Sequence, residues 1–196
     1  MADRMDVYED ELSLVAERYE FINGAAYAMS SPSAVHQFIL LKTAAQLDAF
    51  FHSKPCTPYT APFDVYPLAD KGDMRTLVQP DILVVCDTKR LKMDGYYGPP
   101  PLLIEILSQN RSHDLVAKLA LYHKAGVTEY LVIDPDYKIV LRFTWGEDAY
   151  SCNTFPFGPA IPSRYFAPLS LDLSFPLPFE DAAERPVIQE DSPGNR

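Results

Sequence analysis

The sequence predicts an α/β fold: a mixed β-sheet flanked by helices, with a β-hairpin at its start. Three observations carry this. The apolar runs Ile82-Leu83-Val84-Val85 and Leu102-Leu103-Ile104, continued by Ile106-Leu107, have the length and composition of strands buried on both faces. Stretches with helical spacing of apolar residues precede the first run and follow the second, which is the layered arrangement that buries a sheet. Near the start, Asn23-Gly24 separates Glu20-Phe21-Ile22 from Ala25-Ala26-Tyr27-Ala28-Met29, and this dipeptide suits the positive dihedrals of a type I′ hairpin turn.

Taken in order, residues 1–18 form a charged extension in which Val7, Leu12, Leu14 and Val15 allow a short helix. After the hairpin, Ser30-Ser31-Pro32-Ser33 supplies hydroxyl caps for a helix whose apolar residues run from Val35 through Phe38, Ile39, Leu47 and Phe50. Residues 55–67, rich in proline and tyrosine, read as an extended connection with an edge strand near 63–66. Ala69-Asp70-Lys71-Gly72-Asp73 is a turn, and the Asp81 and Glu105 strands follow. From Ser112 the residues Leu115, Leu119 and Tyr122 recur at helical spacing, and Gly126 supplies a left-handed stop. Strands at 129–133 and 138–143 flank the turn Asp134-Pro135-Asp136-Tyr137, with Ile139, Leu141 and Phe143 on one side and Lys138 and Arg142 toward water.

At 196 residues and 47% hydrophobic content the chain fits one domain, residues 19–155, with extensions. Eight of the 18 prolines lie after Phe155, where Leu169, Leu171 and Leu173 alternate, so residues 156–179 are expected to form an extended arm on the core or on a partner subunit. Residues 180–196 are polar and are expected to be disordered. No apolar run reaches the roughly 18 residues of a membrane span, and the start MADRMDVYEDEL lacks the pattern of a secretory signal, so a cytoplasmic protein without membrane contact is expected. Cys56, Cys86 and Cys152 are odd in number and have no Cys-x-x-Cys pairing, which predicts free thiols with neither disulfide nor structural zinc. A net charge of -10 argues against a broad grip on nucleic acid. Lys89-Arg90-Leu91-Lys92 is the one dense basic group and a candidate DNA contact.

The chemistry concentrates where polarity interrupts the core pattern. Glu105 sits inside an apolar strand, a position that costs several kcal/mol unless a metal, a cation or hydrogen-bond donors compensate it. Asp81 heads the other buried run, and Asp114, Lys118 and Tyr122, four apart, line one side of the following helix. A strand joined to a helix by a short loop can bring Glu105 and Lys118 into one pocket. Two acids with a nearby lysine suit a divalent metal site.

Pro80-Asp81, Glu105-Ile106-Leu107-Ser108, Asp114 with Lys118, then Tyr122, Gly126, Glu129-Tyr130 and Asp134-Pro135 follow one another in an order that resembles the Uma2 family, a branch of the PD-(D/E)xK nuclease superfamily. Upstream, Tyr19-Glu20-Phe21-Ile22-Asn23-Gly24 and His36 extend the resemblance, which covers about residues 19–143. It implies a restriction-endonuclease-like core that hydrolyses DNA as a homodimer, using Mg²⁺ (or Mn²⁺) held by Asp81, Glu105 and the backbone carbonyl of Ile106. It further implies that Lys118 orients the attacking water or steadies the transition state, and that Glu20 and His36 are accessory site residues. One position departs from the superfamily pattern: Leu107 stands where Glu-x-Lys would place lysine, and the resemblance moves that lysine to Lys118. The acidic charge and Leu107 support an alternative, a non-catalytic homo-oligomeric scaffold that keeps the nuclease shape.

Overall fold

The computed structural model describes residues 18–108, 113–146 and 148–179. The helix expected near the N-terminus and the tail 180–196 lie outside the described residues. β1 (Tyr19–Ile22) and β2 (Ala25–Ala28) pair antiparallel. Asn23 and Gly24 at their junction have φ of 53° and 84°, the paired positive values of the type I′ turn.

Helix α1 (Ala34–Phe51) begins where Ser33, in an extended conformation, accepts a hydrogen bond from the His36 amide on its side-chain oxygen. This is the cap expected of a serine just before an apolar-periodic segment. The buried residues His36, Ile39, Thr43, Leu47 and Phe51 recur every three or four positions and form one stripe against the sheet.

The remaining strands are β3 (Thr57–Thr60), β4 (Val65–Tyr66), β5 (Ile82–Val85), β6 (Leu91–Lys92), β7 (Gly95–Tyr97), β8 (Leu102–Ile106), β9 (Glu129–Asp134), β10 (Ile139–Thr144), β11 (Ser151–Pro156), β12 (Ile161–Pro162) and β13 (Ser170–Leu171). Helix α2 (Leu119–Ala125) follows a π-helical turn, His113–Lys118, and ends on Gly126 at φ 92°, whose amide donates to Tyr122 and His123 carbonyls. Six strands form the central mixed sheet in the order β11-β10-β9-β8-β5-β3, with β8 and β9 parallel and the other pairs antiparallel. Strands β4, β7 and β6 make a separate small sheet.

Alternation along the strands sends side chains to two cores. Leu83, Val85, Leu103, Tyr130 and Val132 pack with Tyr122 of α2, Ile22 of the hairpin and Tyr96 of the small sheet. Ile82, Val84, Leu102, Ile104 and Ile133 pack under the Ile39, Leu47 and Phe51 stripe of α1. Leu169, Leu171, Leu173 and Leu177 of the C-terminal segment are buried in this second core, on the chain's own sheet.

Several expectations are corrected. The edge strand expected near residues 63–66 is present as Val65–Tyr66, outermost in the small sheet beside β7, but the main sheet also has an edge strand within the stretch read as a connection, at Thr57–Thr60. Pro58 is tolerated there because an outermost strand pairs on one side only. Lys138, at φ 51°, belongs to the turn, so β10 starts one residue later. Arg142 does not simply face water: it lies over the Phe155 ring and donates to the Pro162 carbonyl and Asn153. Cys56 and Cys86 form a disulfide, against the expectation of free thiols. Thr57 pairs with Val85, so one step beyond the ladder puts these two cysteines opposite each other with Cα atoms 4.2 Å apart. Among the described residues no helix is long and apolar enough to cross a membrane.

Candidate active site

The β5–β8 register builds the site. Ile82 faces Ile104 and Leu83 faces Leu103, so the next position places Asp81 opposite Glu105, and opposite residues in an antiparallel pair project to the same side. The Asp81 amide donates to Glu105 Oε2 at 3.2 Å, and the Ile106 amide donates to Asp81 Oδ2 at 2.7 Å. His36, in the first turn of α1, reaches the same Oδ2 with Nε2 at 3.0 Å. A carboxylate oxygen is an acceptor only, so Nε2 carries the proton in this contact. His36 Nδ1 is buried and has no hydrogen-bond partner among the described residues.

Glu105 is only 3% exposed, and its burial is compensated by donors from α2 and the turn before it. Lys118 Nζ lies 2.9 Å from Glu105 Oε1, and the Tyr122 hydroxyl donates to the same oxygen at 3.0 Å. Lys118, also 3% exposed, is the last residue of the π-helical turn, a feature that recurs at functional sites. Its ammonium also lies 3.0 Å from Glu20 Oε1, an oxygen that accepts the Gln79 amide at 2.8 Å. Glu20 is 2% exposed. Burial, then the nearby charges of Glu105 and Glu20, push the Tyr122 hydroxyl well above its ordinary pKa, so it stays a protonated donor.

Glu20, His36, Asp81, Glu105 and Lys118 thus meet although 98 positions separate the first from the last. They line a cleft of about 190 Å³, together with Ile106, Arg18, Tyr27, Gln37, Gln79 and Ser108. Asp81 is its most accessible carboxylate, its side chain 16% exposed, and Oδ1 has no hydrogen bond among the described residues. Leu107 is a core residue, 3% exposed, and the ammonium beside Glu105 is that of Lys118. The side chain of Asp114 lies outside the described residues.

Sequence reasoning missed four contributors. Tyr122 was read only as a neighbour of Lys118 on the helix, although its spacing of four placed its hydroxyl within reach of the same acid. Gln79 holds Glu20 through its backbone, which leaves no side-chain signature. Arg18 and Tyr27 enter the cleft because the hairpin folds over it, a tertiary fact. The basic group at 89–92 is not at the cleft: Arg90 is paired with Asp70 and Asp87, and Lys92 lies over the Tyr97 ring.

The profile of the Uma2 family, described as "Putative restriction endonuclease", matches residues 9–175. The chain belongs to the Uma2 family. A crystal structure described as that of a putative nuclease belonging to DUF820, from Anabaena variabilis, superposes with a TM-score of 0.63 at 19% identity, covering 84% of this chain and 93% of that one. At that identity the likeness establishes a shared fold. No curated protein matches the chain.

Families with restriction-endonuclease-like cores generally use divalent metals. Among the described residues, no group of three or more His, Cys, Asp or Glu side chains is arranged to hold a metal ion. Magnesium, however, keeps several waters and is commonly held by one or two carboxylates. Among the described residues Asp81 Oδ1 carries no hydrogen bond, and Glu105 Oε2 accepts a long one. Lys118 lies between Glu20 and Glu105, and Asp81 sits beside Glu105 against His36, so three carboxylates share this cleft with one ammonium. That donor set fits a hydrated divalent cation.

Proposed function

We propose that this Uma2 chain is a metal-dependent endonuclease that hydrolyses DNA phosphodiester bonds. The observation that carries the reading is the convergence of Lys118 Nζ on Glu105 Oε1 at 2.9 Å, with Asp81 tied to the same Glu105 through its own amide. Asp81 and Glu105, with the backbone of Ile106 at the cleft wall, would hold Mg²⁺ or Mn²⁺. That ion, when bound, supplies charge to offset the phosphate oxygens and lowers the pKa of a bound water.

The chain's own groups do the rest. The Ile106 amide and His36 Nε2 both bind Asp81 Oδ2, which fixes the carboxylate plane and leaves Oδ1 for the cleft. Lys118 is held from two sides by Glu20 and Glu105, so its remaining N–H points have little freedom. A preorganised ammonium of this kind stabilises negative charge as it develops on the phosphoryl oxygens and orients the attacking water. Glu20 and His36 act through Lys118 and Asp81 as positioning residues. The chain is proposed to work as a cytoplasmic homodimer, the second copy adding along β11, whose outer side has no strand partner among the described residues.

A second reading draws on one observation. Lys118 already neutralises two buried carboxylates, which would also suit a non-catalytic scaffold whose ion pairs are purely architectural. Calorimetry with Mg²⁺ and Mn²⁺, paired with cleavage of plasmid and oligonucleotide DNA, separates the two. The nuclease reading expects measurable binding, its loss in Asp81→Ala, and metal-dependent cleavage that disappears with it. A wild-type protein that binds no divalent ion and leaves every form of DNA intact would establish the scaffold.

A further inference from the structure

The cleft's shape and charge point to a class of substrate. Resting on the nuclease reading above, we infer that this site acts on unpaired DNA, a single strand or a frayed or flapped end, in preference to intact duplex.

Charge is the first argument. A protein that grips duplex DNA through its backbone typically neutralises about six to ten phosphates. Among the described residues lining this cleft the cations are Arg18, which is exposed, and Lys118, which is buried between Glu20 and Glu105. The basic group at 89–92 lies elsewhere, with Arg90 committed to Asp70 and Asp87. On a chain of net charge -10, the described residues of the cleft form no track of cations along which a duplex would lie.

Depth is the second. The carboxylates sit at the floor, Glu105 and Glu20 almost fully buried, beneath walls formed by the hairpin, the start of α1 and the Ala61-Pro62 segment. A phosphate must enter the recess to meet them. A duplex holds its phosphates on a stiff helix, whereas a single strand can turn one phosphate and its base inward.

Chemistry at the mouth is the third. Tyr27 lies on β2 opposite Glu20, and opposite residues share a side, so its ring stands on the cleft side of the hairpin, 37% exposed. Leu40 and Pro62 add apolar surface, and Arg18 a guanidinium. Aromatic rings on which bases stack, beside a few cations, are how single strands are held without sequence preference.

The test uses the full chain with Ca²⁺ in place of Mg²⁺ and labelled oligothymidylate of about 20 nucleotides, longer than the roughly 4–16 that such sites cover. Anisotropy titrations compare the single strand with the same strand annealed to oligodeoxyadenylate, and cleavage of both is then followed in Mg²⁺. The expected result is binding at least about 10-fold tighter for the single strand, lost about 10-fold in Tyr27→Ala and retained in Tyr27→Phe. Arg18→Gln, a second variant at an exposed position, should weaken single-strand binding and lower its salt dependence. Duplex bound or cut as well as the single strand overturns the inference while leaving the nuclease reading in place. So does a Tyr27→Ala protein that folds and binds unchanged. Absence of both binding and cleavage for either form overturns the nuclease reading with it.

Discussion

On the proposed reading Lys118 does two jobs with one ammonium, and the energetics of each differ. As the counter-charge to Glu105 and Glu20 it offsets the burial of two carboxylates, and removing one partner of a buried ion pair costs about 3–5 kcal/mol. Lys118→Ala is therefore predicted to lose stability on that scale in urea unfolding, besides losing cleavage. A loss below about 0.5 kcal/mol would show the ammonium is not the counter-charge described, since changes that small are typical of surface positions. Tyr122 gives a pH signature. Its folded pKa is raised well above 10.0, the ordinary value, so the native state keeps a proton that the unfolded chain gives up as pH climbs past that value. The hydroxyl's contribution, about 1.5–3 kcal/mol for a hydrogen bond to a charged group, is fully present below the unfolded pKa and is lost as pH rises toward the folded one. Unfolding at increasing alkaline pH should show wild type falling more steeply than Tyr122→Phe; parallel curves would contradict this. These acids and the lysine could be read from sequence because a charge inside an apolar run is conspicuous. Their donors could not, since the Gln79 and Ile106 amides belong to every residue alike.

At the scale of elements, turn and cap chemistry carried over directly. Asn23-Gly24 makes its hairpin, Ser33 caps α1 and Gly126 ends α2, because each requirement is local to a few residues. The Cys56–Cys86 bridge was hidden because 30 positions separate its ends, and only the β3–β5 register makes them neighbours. The edge strand Thr57–Thr60 was missed for the same reason: which tyrosine-rich stretch joins the main sheet depends on pairing partners rather than propensity. Reduction of this bridge is predicted to lower stability by about 2–4 kcal/mol. Thiol titration of the unreduced, denatured protein should report Cys152 alone; three reactive thiols would exclude the bridge.

The whole molecule is one six-stranded sheet whose two faces are covered from different parts of the chain. The first core joins hairpin, small sheet and α2; the second joins α1 and the C-terminal leucines. The site sits where the open end of the hairpin, the start of α1, the head of β5 and the tail of β8 meet, so its geometry depends on the complete fold. At the sheet's far side β11 presents an uncharged strand, Ser-Cys-Asn-Thr-Phe-Pro, with no outer partner among the described residues. Light scattering on the eluting protein is predicted to give twice the 22.1 kDa chain mass, and Thr154→Lys, which sets a charge on that edge, should shift it to the monomer. A monomeric wild type would remove the second copy from the account.

The most direct trial of the central claim is anomalous scattering from crystals grown with Mn²⁺. The account predicts a manganese peak in the cleft within bonding distance of both Asp81 and Glu105, absent from Asp81→Ala crystals. A cleft that stays empty at millimolar Mn²⁺, or a peak bound only elsewhere on the surface, would contradict it.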